Sequence, residues 1–174
     1  DARQRVRTQV NFIASENLQG VLMFEIGEIA WGGQGTGKSG RGSGGDLDAD
    51  GVNVETKRAY LDWMIPQTDV SVRMGIQYMA LPSGTGFYNP VLGNDVAGIV
   101  VNAPINDIFG ITALWARPFD SQEYDGDDNA YDEMDLFALM LPITGEGWSV
   151  TPWGAYAAIG NASGFYDYVV GYSG

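Results

Sequence analysis

Arg3, Arg5 and Arg7 occupy alternate positions and run on into Gln9 and Asn11, while Val6, Thr8, Val10 and Phe12 stand between them. Side chains on a β-strand point alternately to opposite faces, so this segment has one charged face and one largely apolar face. The same period returns in seven further stretches, separated by short turns and long polar loops. A chain written this way is constrained to an antiparallel sheet with two unlike faces, and the pattern is that of a membrane barrel with a wet, charged lumen.

Composition is compatible with that reading but does not produce it. The 174 residues are 45% hydrophobic and the mean hydropathy is −0.09, values shared by soluble domains and by barrels, whose lipid-facing residues are hidden in alternation. The sequence has no apolar run of about 20 residues, which counts against a helical span. Twenty-five glycines and five tryptophans favour an all-β chain with many loops. The absence of Cys removes disulfides and thiolate metal sites, and the absence of His removes the commonest general base. An enzyme would have to work with carboxylates alone, and no convincing catalytic set is visible. A net charge of −13 argues against nucleic-acid binding. All nine basic residues lie at or before Arg117. No signal peptide is visible, so the chain reads as a mature product or an internal segment.

Eight strands are expected over Arg3 to Ala14, Gly20 to Trp31, Val52 to Ile65, Val70 to Leu81, Val96 to Ala103, Ile108 to Phe119, Met134 to Leu141 and Trp148 to Ile159. Most reach the roughly 9 to 11 residues of a tilted transmembrane strand. Ser15 to Gln19, Pro66 to Asp69, Pro104 to Asp107 and Pro142 to Gly147 read as tight turns, whereas Gly32 to Gly51, Pro82 to Asp95 and Asp120 to Glu133 are long and polar. Outer-membrane barrels show this asymmetry, with short periplasmic turns and long extracellular loops. The first strand then runs toward the periplasm, and residues 1–174 are expected to be a segment of one barrel domain, truncated at both ends.

Facing is expected to follow parity. Val72, Met74, Ile76 and Tyr78 oppose Ser71, Arg73, Gly75 and Gln77; Ala59, Leu61, Trp63 and Ile65 oppose Arg58, Tyr60 and Asp62; Leu22, Phe24 and Ile26 oppose Glu25 and Gly27. Trp31, Trp63, Tyr78, Trp115, Trp148 and Trp153 fall near strand ends or turns, where an aromatic girdle would lie. Arg3, Arg5, Arg7, Glu25, Arg58, Asp62 and Arg73 are therefore the candidate pore-lining residues, since a water-filled lumen relieves the cost that burying them in a dry core would carry.

Two motifs match familiar patterns. Gly32 to Ser39 fits the phosphate-loop pattern G-x-x-x-x-G-K-S, but the residues that should open a helix are Gly40, Arg41, Gly42, Ser43, Gly44 and Gly45, so the match reads as chance in a loop. Asp46, Asp48 and Asp50, followed by Gly51, match the first half of a calcium loop. Lys57 stands where the bidentate Glu belongs, which excludes an EF-hand and leaves a looser candidate Ca²⁺ site on an extracellular loop. Seven acidic residues between Asp120 and Glu133 read as a solvated loop that would also shape the field at a pore mouth.

Val6 to Glu16, Arg58 to Trp63, Leu81-Pro82 and Thr151 to Gly154 resemble the homotrimeric outer-membrane porins of sulfate-reducing Gram-negative bacteria. The resemblance implies an all-β, transmembrane antiparallel β-barrel of about 16 strands, of which this chain would supply about eight. It also implies a homotrimer in contact with outer-membrane lipid and lipopolysaccharide, without an organic cofactor, passing small hydrophilic solutes and ions by passive diffusion. In that register Pro82 to Asp95 is the loop that folds inward to narrow the pore, although Phe87, Tyr88 and Asn89 depart from the usual acidic constriction. The reading from another class is a secreted, calcium-dependent β-sandwich adhesion or carbohydrate-binding module, suggested by the Asp46 to Gly51 turn and the exposed aromatics.

Overall fold

The computed structural model describes residues 2–32, 54–83, 89–120, 131–161, 163 and 165. Its strands are β1 (Arg3–Ser15), β2 (Leu18–Ala30), β3 (Val54–Met64), β4 (Ser71–Ala80), β5 (Gly93–Pro104), β6 (Gly110–Asp120), β7 (Glu133–Met140), β8 (Ile143–Gly145), β9 (Trp148–Val150) and β10 (Trp153–Ile159). Among the described residues no helix is long and apolar enough to cross a membrane. Eight strands form one sheet in the order β1-β2-β3-β4-β5-β6-β7-β10, and β8 pairs with β9 in a separate hairpin. Every pairing is antiparallel. The sheet is a meander with β1 and β10 at its edges, so the described strands do not close on themselves as a barrel.

Residues opposite one another in an antiparallel register share a face, so the ladders can be followed across the whole sheet. One row runs Phe12, Gly20, Leu61, Met74, Ile99, Trp115, Phe137, Tyr156, and carries no charged residue in eight strands. The row beside it, Leu18, Trp63, Val72, Val101, Ala113, Leu139 and Gly154, is equally apolar. Many of these side chains are open to the surroundings, Phe12 by 52% and Tyr156 by 68%. We call this the outer face. The inner face carries Arg7, Glu25, Gln19, Asp62, Arg73, Gln77, Asn102 and Thr112, which the same ladders place together.

The inner face is not polar throughout. Met79, Leu114, Ala116, Leu136, Ala138 and Met140 project from it and cluster with Leu81 and Leu92 at the two ends of the β4–β5 connection. Asn89 pins that connection: its Nδ2 donates to the Pro82 carbonyl at 2.9 Å, and its Oδ1 accepts from the Val91 N–H at 2.8 Å. Phe165 returns edge-on against Phe119 with ring centroids 5.8 Å apart. In β7, written Glu-Met-Asp-Leu-Phe-Ala-Leu-Met, one parity enters the cluster with Met134, Leu136, Ala138 and Met140, and the other begins with Glu133 and Asp135 before Phe137 and Leu139 join the outer rows.

A glycine pair lets neighbouring strands approach closely. Gly75 and Gly98 face each other across β4 and β5. A Cβ on Gly75 would stand 2.3 Å from the Ala59 carbonyl oxygen and one on Gly98 2.1 Å from that of Trp115, so any side chain would strike the neighbouring strand. Gly75 also has φ +126°, a conformation suited to glycine. Pro118 sits at the register shift between Ala116 and Phe119, where its missing N–H removes no ladder bond.

Beyond shifts of one or two residues at several strand ends, three elements differ from expectation. β5 begins at Gly93 rather than Val96, because Ala80, Met79 and Tyr78 keep partners in Gly93, Asn94 and Asp95. The expected strand from Trp148 to Ile159 is broken at Thr151-Pro152, where proline cannot donate to a ladder. The expected Pro142 to Gly147 turn is instead largely the β8–β9 hairpin, which docks on the β5–β6 turn: the Thr144 N–H donates to the Ile108 carbonyl at 2.8 Å, and Ile143 bridges Phe109. Trp115 lies in the middle of β6, not near its end.

Leu136 is 2% exposed on the inner face and Leu139, three residues on, is 48% exposed on the outer. Leu136→Ala should cost about 2 to 5 kcal/mol in equilibrium urea unfolding of the refolded protein, and Leu139→Ala clearly less; equal losses would contradict the assigned faces.

Candidate functional site

The candidate site is the ionic half of the inner face, built on β1 to β4. Alternation on β1 sends Arg7 toward Glu25 of β2, its register partner, and Arg7 Nε donates to the carboxylate at 2.6 Å. Glu25 is buried although charged, which is tolerable because the arginine answers it directly. A register shift between Gln4 and Val6 displaces the next pairs. Arg5 Nη1 meets Glu28 at 3.2 Å, and Arg3 reaches the same carboxylate at 3.7 Å. The three regularly spaced arginines thus share two acids on the adjacent strand.

Asp62 of β3 and Arg73 of β4 stand opposite each other in register. Arg73 donates through Nε at 2.6 Å and Nη2 at 2.8 Å, a two-pronged pairing that fixes both side chains. Gln19 adds a donation to Asp62 Oδ2 at 3.3 Å. The guanidinium lies over the Tyr60 ring, 4.4 Å from its centroid. Beside it Gln77, only 2% exposed, donates its amide nitrogen to the carbonyls of Arg73 and Gly98, both at 3.3 Å. Asp62, Ser71, Arg73, Gln77, Val100, Asn102, Thr112, Leu114 and Met140 line a recess of about 390 Å³.

Arg58 does not join this group. It pairs in register with Met23, but its Nε donates to Asp95 of β5 at 3.0 Å and its guanidinium lies over Tyr78, 5.9 Å from the centroid. Lys57 contacts the same carboxylate at 3.0 Å. A further cluster stands on β6 and β7: Arg117 donates twice to Asp135 at 3.0 Å, the Trp115 Nε1 donates to it at 3.0 Å, and Asp120 and Glu133 lie 3.7 Å from Arg117. Among the described residues the basic side chains therefore fall into four groups, each with one or more acids of its own.

Glu28, Lys57, Asp95, Arg117 and Asp135 are not marked as site residues by the sequence pattern. Glu28 has the opposite parity to Glu25 and meets Arg3 and Arg5 beyond the register shift at Gln4/Val6, and the others acquire partners only through strand pairing. Asp46, Asp48 and Asp50, the calcium candidates, lie outside the described residues, as do most of the phosphate-loop match, the middle of the acidic loop and Phe87 and Tyr88. Nothing in the described ionic groups is arranged as a nucleophile with its base. The arrangement can hold water and polar solutes against a wall of fixed, compensated charges.

No family model matches this chain, and no curated protein matches it.

The Asp62–Arg73 pair should behave as a unit. In a double-mutant cycle with Asp62→Leu and Arg73→Met, urea unfolding should give a coupling energy of about 1 kcal/mol, since both groups are partly solvated. Additive losses would mean that the pair contributes no mutual stabilisation.

Proposed function

We propose that this chain is part of the wall of an outer-membrane porin, a water-filled channel for passive diffusion of small hydrophilic solutes and ions. The carrying observation is the outer face: two neighbouring rows of apolar and aromatic residues run across the sheet, while Arg7, Glu25, Asp62 and Arg73 stand on the opposite side, and the Arg117–Asp135 cluster lies on the outer parity beyond those rows, toward the ends of β6 and β7. An exposed apolar surface of that extent is costly in water and natural in lipid. Arginines in ion pairs on the other face fit a wall wetted by the lumen, where a charge retains much of its hydration. The inward-packing ends of the β4–β5 connection, with Leu81, Leu92 and the buried Asn89, support a loop that narrows the passage.

A β-sandwich is disfavoured because its second sheet would have to cover the apolar face, and the second sheet among the described residues consists of two three-residue strands. In the porin reading β1 and β10 pair with further strands of a larger barrel, the assembly is a homotrimer, and the outer rows meet lipid and lipopolysaccharide. Asp46, Asp48 and Asp50 would then lie on an extracellular loop and bind Ca²⁺ weakly.

The pairing of each arginine bears on selectivity. Loop charge is screened over a Debye length of about 8 Å at physiological salt, whereas wall charges act directly on a passing ion. Neutralising Arg5, Arg7, Arg58 and Arg73 together leaves Glu25, Glu28, Asp62 and Asp95 with less or no compensation. The reversal potential in a salt gradient across a planar bilayer should move toward cation preference, and a fixed value would remove those arginines from the conducting path. Facing is tested separately: Met74→Arg on the outer face should cost about 2 to 4 kcal/mol in a bilayer, well above Arg73→Gln, and equal penalties would exclude the lipid-facing assignment.

A further inference from the structure

The recess between Arg73 and Thr112 differs from the rest of the ionic wall because its polar groups are mostly uncharged and its one ion pair is closed. Both oxygens of Asp62 are engaged, Oδ1 by Arg73 Nε and Oδ2 by Arg73 Nη2 and Gln19. Asp62 offsets the charge of the guanidinium, so an anion gains little net attraction from Arg73, and a cation would find no unengaged carboxylate oxygen. Gln77 is buried with its amide nitrogen committed to two backbone carbonyls, which leaves its side-chain carbonyl as an acceptor. Asn102 uses its oxygen to accept from the Thr112 hydroxyl at 2.8 Å, which leaves its amide nitrogen as a donor. The Ser71 hydroxyl can do either. Between these groups the surface is apolar, formed by Val100, Leu114 and Met140.

A ligand that satisfies such a surface is neutral, carries several hydroxyls at its edge and presents aliphatic C–H groups on one face. We propose that the recess is a binding subsite for a neutral sugar of hexose size. Its volume of about 390 Å³ falls at the small end of the roughly 300 to 1,000 Å³ typical of small-molecule sites. Hydrogen bonds from Asn102 and Ser71 and to Gln77 orient the hydroxyls, while the aliphatic floor takes the ring face. The inference rests on the channel reading for its function, since a subsite in a channel wall would favour passage of sugars over ions of equal size.

The test uses the full-length protein in detergent micelles, with glucose as the probe and glucuronate and glucosamine as anionic and cationic analogues of similar size and ring form. Saturation-transfer NMR should show saturable glucose binding and at least severalfold weaker binding of both charged analogues. Asn102→Leu and Ser71→Ala should each raise the half-saturating glucose concentration severalfold, up to about tenfold, as expected for loss of one neutral hydrogen bond. Gln9→Leu, on the same face but outside the recess, should leave it unchanged. Ser71→Ala removes only a hydroxyl and keeps the test sound if the larger substitution unfolds the wall. No saturable glucose signal, equal binding of glucuronate, or indifference to both substitutions would overturn the subsite. Swelling of liposomes carrying the protein separates the two readings: glucose flux without saturable binding sinks the subsite and spares the channel, and saturable binding without flux does the reverse.

Discussion

Everything in this sheet depends on an unbroken cross-strand register. Because side-chain facing has a period of two, a slip of one residue between any two strands would carry arginine onto the apolar side and leucine onto the polar side. The row from Phe12 to Tyr156 passes through seven ladders without such a slip. The count is disturbed at Gln4/Val6, Met23/Phe24 and Ala116/Phe119 on the side of the long connections and at Ile13/Ser15 beside the short β1–β2 turn, and the rows between remain in phase. The separation of faces is thus a property of eight strands together, although each strand carries only half of its own argument.

Charge is arranged on that frame as local compensation. Arg7 meets Glu25, Arg73 meets Asp62, Arg58 and Lys57 meet Asp95, and Arg117 meets Asp135. A partly buried guanidinium without a partner would weaken the sheet, and a carboxylate such as Glu25 would weaken it more. Pairing between neighbouring or next-neighbouring strands therefore supports the register electrostatically while keeping the wall's net field small. The large negative charge of the chain is largely carried elsewhere, in the connections.

The sequence pattern makes the two faces legible wherever one strand has a clean alternation, as in Val72, Met74, Ile76 and Tyr78 against Ser71, Arg73, Gly75 and Gln77. It identifies the number of strands in the main sheet for the same reason. What it hides is relational. Arg58 has the parity of Asp62, but its partner is Asp95, two strands away, and no single-strand count reveals that. Glu28 meets Arg3 and Arg5 beyond a register shift that the pattern does not mark. Leu136 and Leu139 look alike in sequence, and only the cluster around Leu114 distinguishes them. Pro152 is legible as a strand breaker, yet the strand expected over Trp148 to Ile159 runs through it.

That broken strand has a mechanical consequence. The β8–β9 hairpin is joined to Ile108 and Phe109 on one side, and on the other the Leu141 N–H donates to the Pro152 carbonyl while Pro142 accepts from Gly110. Two neighbouring hairpins, β5–β6 and β7–β10, already joined by the β6–β7 ladder, are also tied at their turns by a short cross-piece. Opening either one requires releasing the other's turn, so their amides should exchange with solvent as one cooperative unit. A continuous strand from Trp148 to Ile159 would have lengthened the wall by a few residues; the interruption makes a rivet of them instead.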